Sequence, residues 1–443
     1  MLGALLGSMV LMNMALEERG KEKKAYLSEK EDELLKRSRK SESGTQEKAE
    51  ADAAAEQDGE NSADSGESRT EKEDLAVDEE KAEEKMIRVL LMATGYESYF
   101  HPSVSVVSGG IESSYKPEDL EAGAEPVIIP ETEGGIQVAS IQRQGGSPVY
   151  EGSLEIRRRE EGLLLINELP LETYLEAVVP SEMPSGYEKE ALKAQAICAR
   201  TYAWKHMRDK GLEDYGADVD DSVSYQVYQN IPPQESTSKA VKETEGKILC
   251  QNGEPVEAYY FSTSAGVTST NEIWGAEEPA SYLKSVPCAF DSEEPWSWWQ
   301  VELPWAGLEQ RAAGYLGAEG ALLSVSVTKK EESGAVTGLE VVTEAGSFLL
   351  DEEYAIRQFL SPEGCVITEK DGSTTEGGAL LPSSYFQEEA VPGTSLLLTG
   401  GGYGHGVGMS QNGANEMAAR GYTCEEILNY FFKDVEIQEI SGA

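Results

Sequence analysis

The feature that most restricts this chain is a segment that cannot fold. Between Ala49 and Lys85 there are fifteen acidic and four basic residues, no aromatic, and almost no branched apolar side chain. Such a stretch cannot bury enough apolar area to offset its ordering entropy, so it is expected to stay disordered. At Met86 the composition changes, and Ile87-Arg-Val-Leu-Leu-Met-Ala93 reads as a strand. Folding is therefore expected to begin at Met86, with one domain over residues 86–443.

The residues before that domain read as a tether. Met1–Leu16 is apolar except for Ser8 and Asn13, shorter than the roughly 20 residues that span a bilayer. No basic n-region precedes it and no A-x-A site follows, so a cleaved signal peptide fits poorly. The run is read as the end of a partial membrane anchor over residues 1–16. Residues 17–85 then form a charged disordered tether. As a flexible coil it would reach roughly 45 Å, holding a domain off a membrane face.

The net charge of -44 over 443 residues disfavours nucleic acid, whose phosphates would be repelled. Five widely spaced cysteines without a CxxC argue against a disulfide framework or zinc ribbon. The three histidines, His101, His206 and His405, show no metal-ligand spacing. Neither a metal nor any other cofactor is expected.

The pattern from Met86 onward is α+β, a strand-rich mixed domain with a long helix. Expected strands include Val104–Val107, Leu154–Arg157 and Leu163–Ile166 around a turn at Glu160-Glu-Gly162. Others are Lys247–Cys250, Val256–Phe261, Leu322–Thr328, Gly338–Thr343 and Ser395–Leu398. The long helix is expected from about Tyr187 to Lys210, opened by a Ser185/Glu188 capping box and stopped at Gly211. A second helix over Cys424–Phe432 starts with a Thr423/Glu426 box, and a shorter one runs from about Gln411 to Arg420.

Three stretches carry a resemblance. One is Leu169-Pro-Leu-Glu-Thr-Tyr-Leu-Glu-Ala-Val-Val-Pro-Ser-Glu-Met-Pro184, running into Glu190-Ala-Leu-Lys-Ala-Gln-Ala-Ile-Cys-Ala-Arg-Thr-Tyr-Ala203. Another is Ala258-Tyr-Tyr-Phe-Ser-Thr-Ser-Ala-Gly266, with Asn271-Glu-Ile-Trp-Gly275. The third is Gly400-Gly-Gly-Tyr-Gly-His-Gly-Val-Gly-Met-Ser-Gln-Asn-Gly-Ala414. Asp221-Ser-Val-Ser-Tyr-Gln-Val-Tyr228 adds a shorter match. In order and spacing they resemble the SpoIID/LytB family, named for stage II sporulation protein D, over roughly Met86 to the C-terminus. The resemblance implies a lytic transglycosylase. Such enzymes cut the MurNAc–GlcNAc bond of peptidoglycan strands stripped of stem peptides and leave 1,6-anhydro-MurNAc ends. It also implies work in sporulation engulfment beside a SpoIIP-like amidase and a SpoIIM-like membrane protein. The domain would then lie on the outer, septal face of the cell membrane. Some members bind zinc in the segment after the first helix, but Gly211–Asn230 here holds no Cys or His.

The residues support this chemistry independently. Breaking a glycosidic bond needs a proton on the leaving oxygen, and a carboxylic acid of raised pKa suits that step. Hydrolases usually pair it with a second carboxylate. A lytic enzyme uses the substrate's C6 hydroxyl as nucleophile and needs only one. Glu182 in Pro180-Ser-Glu-Met-Pro184 reads as a rigid loop acid and matches the family's catalytic glutamate; Glu172, Glu176 and Glu188 lack such framing.

Candidate substrate-binding residues are Lys193, Arg200, Tyr259, Ser262, Ser264, His405, Gly406 and Gln411. Lys193 and Arg200 lie nearly two helical turns apart on one face, and either a salt bridge or substrate contact would explain them. His405, among glycines, either opens to a sugar or bonds the backbone of a tight loop. Tyr259, Tyr260 and the tryptophans between Trp296 and Trp299 could stack on sugars, but aromatics in strand-like runs are more often core. His206 is expected at the surface. The alternative to an enzyme is a non-catalytic LytB-like amidase enhancer that binds glycan.

Overall fold

The computed structural model describes residues 84–121 and 123–440. The expected anchor, and all of the expected tether except its last two residues, lie outside them. The described chain is α+β, with strands more numerous than helices. Its helices are α1 Leu171–Glu182, α2 Lys189–Asp209, α3 Glu235–Glu243, α4 Trp305–Leu316, α5 Glu353–Phe359, α6 Gln411–Ala419 and α7 Cys424–Phe431.

The expected hairpin forms. Ser153–Arg158 pairs antiparallel with Leu163–Pro170, which pairs with Met86–Leu90. Val127–Ile129 and Val219–Asp220 complete this five-stranded sheet, the last by a parallel pairing. Both faces of Leu163–Ile166 are covered. Leu163 and Leu165 enter the main core, whereas Leu164 and Ile166 join Leu90 and Ala217 on the other side. That is the two-residue alternation of a strand buried on both faces.

The long helix α2 is the central element. Ala196, Ala199 and Ala203 pack into the core beneath the first sheet. Ala191, Ala194, Ile197 and Cys198 pack into a second core with α6 and α7. Alanine suits a helix with neighbours on several sides, because it lets their backbones approach without costing helix propensity. The expected Ser185/Glu188 box does not form. The chain turns at Pro184–Tyr187 first, so α2 starts at Lys189, and the Glu188 N–H is taken by Asn415 Oδ1 at 2.8 Å. The Thr423/Glu426 box at α7 does form.

Two further expectations are corrected. The Pro180–Pro184 stretch is not wholly a loop: α1 continues through Pro180 to Glu182 and stops because Met183, preceding Pro184, is held extended. Of the expected strand Val256–Phe261, Tyr260–Phe261 is regular, paired parallel with Met409–Ser410. A third core lies between the second and third motifs. There Trp299–Pro304, Ser395–Gly400 and their neighbours pack with α4, α5 and a three-stranded sheet around Trp299, Val301 and Leu339.

Candidate active site

Glu182 ends α1, and three separate segments enclose it. The first is Asp221–Tyr228, pinned at both ends. Asp221 forms a fully buried ion pair with Arg143 and accepts the Met92 N–H at 2.8 Å. At the other end, Tyr228 Oη donates to Asn167 Oδ1 at 2.8 Å. So fixed, the segment aims the Val227 N–H at Glu182 Oε1, 2.6 Å away.

The second segment brings Tyr260, whose hydroxyl also bonds the Glu182 carboxyl. Gln226, fully buried, orients that hydroxyl. Its Nε2 donates to Tyr260 Oη at 3.1 Å, and its Oε1 accepts from Tyr174 Oη at 3.3 Å. Tyr260 Oη therefore receives one hydrogen bond and is left to donate its own proton to the carboxylate. The third segment brings Gln411, whose Nε2 donates to the Glu182 carbonyl at 3.1 Å and to Gln195 Oε1 at 3.3 Å.

Burial pushes the Glu182 carboxyl up from 4.5 to about 7, against the opposing pull of the Val227 N–H and the Tyr260 hydroxyl. No second carboxylate is among the groups that shift it. The side chain is recessed but only half-buried, and it lines an open cleft of about 420 Å³ with Ser181, Met183, Pro184, Ile231 and Gln234. A carboxyl that still carries its proton near neutrality, on a residue that borders an open cleft, is equipped to donate it.

The other expected residues divide sharply. Gln411 reaches Glu182, as described. Lys193 does not; it forms a partly exposed pair with Glu190 at 2.9 Å. Arg200 is fully buried. Its Nε and Nη2 hold both oxygens of Glu172 at 2.7 Å, and it donates to the carbonyls of Val241 and Lys247. Substrate contact is corrected to a structural role for Arg200, because every face of its guanidinium is taken. Ser264 is likewise buried, bonding Asp291 Oδ1 at 2.7 Å through its hydroxyl. Ser262 stays half-exposed beside Thr263.

His405 bonds its own loop: Nδ1 accepts the Val407 N–H at 3.0 Å, and the ring also bonds the Tyr260 carbonyl. Burial, aided by Arg357, pushes its pKa down to about 3, so the ring is neutral. Gly406 is required by space. At φ +82° an added Cβ would lie 2.5 Å from Tyr385 Oη. Tyr259 faces away from Glu182, packing on Trp274 at 5.0 Å between ring centroids. His206 is half-buried between Tyr202 and Tyr225 rather than at the surface.

Tyr260, Gln226 and Val227 were not among the expected site residues. The signal for two of them was present in the Asp221–Tyr228 match. For Tyr260 the error is one of phase, since neighbouring strand residues point to opposite faces.

No helix among the described residues is long and apolar enough to cross a membrane. Within them, no three His, Cys, Asp or Glu side chains are grouped to hold a metal ion.

Residues 159–250, which include α1, α2 and the Asp221–Tyr228 segment, match the family model described as SpoIID, Stage II sporulation protein. The chain is 34% identical over 289 residues to stage II sporulation protein D of Bacillus subtilis strain 168, covering 62% of this chain and 76% of that protein. The protein of the same name from Bacillus amyloliquefaciens is 32% identical, with the same coverage of 62% and 76%. The amidase enhancer of B. subtilis is 27% identical over 293 residues, 58% of this chain and 39% of that protein. With a relative this similar matched over three quarters of its length, the chain belongs to the SpoIID family.

Proposed function

We propose that this protein is a lytic transglycosylase acting on peptidoglycan strands whose stem peptides have been removed. The observation that carries the reading is the Glu182 carboxyl, its pKa pushed up to about 7 by burial, on a residue that lines an open cleft. Glu182 gives its proton to the glycosidic oxygen between MurNAc C1 and the next GlcNAc. The C1–O bond breaks and C1 becomes cationic. The C6 hydroxyl of the same MurNAc attacks C1 and passes its proton to Glu182, which returns to its starting state. The products are a strand with a free GlcNAc 4-hydroxyl and a strand with a 1,6-anhydro-MurNAc end. No water is consumed.

The surroundings of Glu182 suit both halves of this cycle. Burial favours the neutral acid before proton transfer. The Val227 N–H and the Tyr260 hydroxyl stabilise the carboxylate afterwards. One carboxyl suffices because the substrate supplies the nucleophile.

The setting is proposed partly from the relatives' names, which give sporulation and an amidase, and otherwise from the family resemblance of the sequence and its apolar N-terminus. The protein acts in sporulation, anchored through its N-terminus on the outer face of the membrane, beside an amidase and a membrane protein of the engulfment machinery. A second reading draws on the similarity to the amidase enhancer. In it the same cleft binds glycan and stimulates an amidase without cutting. Incubating the protein with amidase-stripped glycan separates the two. Anhydro-muramic ends are expected from the transglycosylase. Their absence, with amidase stimulation retained, establishes the enhancer instead.

A further inference from the structure

The loops around Gly402 carry aromatic rings that the mechanism does not use. Tyr403 is 45% exposed and its ring lies 4.8 Å from that of Trp296. Trp298, 37% exposed, lies two residues further on. Large rings left this open on a rigid frame mark a binding surface more often than a core.

The frame is rigid. Tyr403 and Thr263 exchange two backbone hydrogen bonds, at 2.8 and 3.1 Å. The Gly402 N–H donates to the Trp296 carbonyl at 2.8 Å, and Trp299 Nε1 donates to the Gly402 carbonyl at 3.1 Å. Both rings are therefore carried on backbone that is tied down before any ligand arrives.

The frame also leads back to Glu182. Tyr403 and Thr263 are directly opposed in an antiparallel bridge, so their side chains share a face. On that face Thr263 Oγ1 accepts from Asn412 Nδ2 at 2.9 Å, and Asn412 Oδ1 accepts from Tyr187 Oη. Tyr187 closes the short loop that leaves Glu182, and Asn412 follows Gln411, which bonds the Glu182 carbonyl. Thr263 and Asn412 are buried beneath the surface, while the half-exposed Tyr187 lies within electrostatic reach of Glu294, two residues before Trp296, and so links the loop leaving Glu182 to the Trp296–Tyr403 pair.

We propose that the Trp296–Tyr403 pair, extended by Trp298, is a remote sugar-stacking subsite that grips the glycan strand beyond the bond being cut. A polysaccharide is the occupant because the exposed rings lie beside Tyr187 and Glu294, which follow on from the Pro184–Gly186 edge of the cleft. Flat exposed rings match the C–H faces of pyranose rings. The consequence is a preference for long strands over short fragments, since only a long strand reaches both places. This inference rests on the glycan reading above.

The test uses the full chain carrying Glu182→Gln, so that binding is measured without cleavage. The probes are long and short fractions of amidase-stripped glycan. Trp296→Ala and Tyr403→Ala are each expected to weaken long-strand binding by roughly three- to tenfold, the contribution of one well-placed ring. Short-fragment binding stays as in the parent, so the long-to-short affinity ratio falls. Trp296→Phe, which keeps a ring, restores most of the ratio. Unchanged long-strand affinity in both alanine variants overturns the subsite, as does an equal loss for long and short fragments. A parent that cuts no glycan but shows a ring-dependent length preference refutes the cleavage reading and leaves the subsite standing. A parent that cuts, with variants whose length preference is unaltered, does the reverse.

Discussion

The carbonyl oxygen of Glu182 accepts a hydrogen bond from Gln411 Nε2 at 3.1 Å, across 229 positions of the chain. That bond joins the end of α1 to the start of α6, and so joins the first and third sequence motifs at the candidate acid. Around it, Val227 and Tyr260 hold the carboxyl, while Arg200, Ser264 and His405 hold the walls.

Replacing the acid is the most direct check on the mechanism. Glu182→Gln keeps the shape of the side chain and still accepts the Val227 N–H. Cleavage of stripped glycan is expected to fall by about 10²–10⁴-fold, the usual contribution of general acid–base catalysis, with binding retained. Measured by release of anhydro-muramic ends, a variant cutting at near the parent rate would remove Glu182 from the mechanism.

The same carboxyl makes stability depend on pH. Its folded pKa of about 7 lies above the ordinary 4.5. The folded state therefore binds the proton more tightly than the unfolded one. Its contribution is fully present below pH 4.5 and is lost as pH rises through 7, by about 3 kcal/mol. Glu182→Gln lacks this loss. Urea unfolding at pH 4 and pH 8 should show the variant gaining stability relative to the parent at pH 8. An equal difference at both pH values would contradict the raised pKa. Parent activity should fall over the same upper range, as the proton to be donated is lost.

Tyr260→Phe removes a donor to the charged form of Glu182. The carboxylate then loses stabilisation, so its pKa rises and the alkaline limb of the pH–rate profile moves to higher pH. A hydrogen bond to a charged group contributes about 1.5–3 kcal/mol, so a loss of roughly ten- to a hundredfold in cleavage is expected. A profile that drops in height without shifting would mean that Tyr260 acts on the substrate instead.

Lys193 and Arg200, equivalent by spacing, are expected to differ in thermal or urea unfolding. Arg200→Ala breaks a buried bidentate pair and orphans two carbonyls, and should cost about 3 kcal/mol or more. Lys193→Ala removes a partly exposed pair with Glu190 and should cost about 0–1 kcal/mol. Equal small losses would mean that the Arg200–Glu172 pair is not held as described.

Much of this fold was legible because its causes are local. The hairpin at Glu160–Gly162, the alanine-rich helix α2 and the Thr423/Glu426 cap depend on residues within a few positions of one another. So does the end of α1, where Pro184 forces Met183 out of helical geometry. Yet Pro180 was misread as a loop residue. A proline in a helix removes a hydrogen bond. Here the helix continues past it because Val178 and Val179 are buried in the core.

The site itself divides along the same line. That Glu182 is the acid to consider was visible from its motif and its proline frame. That its pKa reaches about 7 was not, because the burial comes from segments distant in sequence. Nor was the choice of Tyr260 over Tyr259. Both are aromatic and adjacent, and their phase is set by pairing with Met409 and Ser410 on a distant strand. Arg200 and Lys193 share a helix face, and helical spacing treats them alike. Their roles part because Glu172, at the start of α1, reaches only one of them.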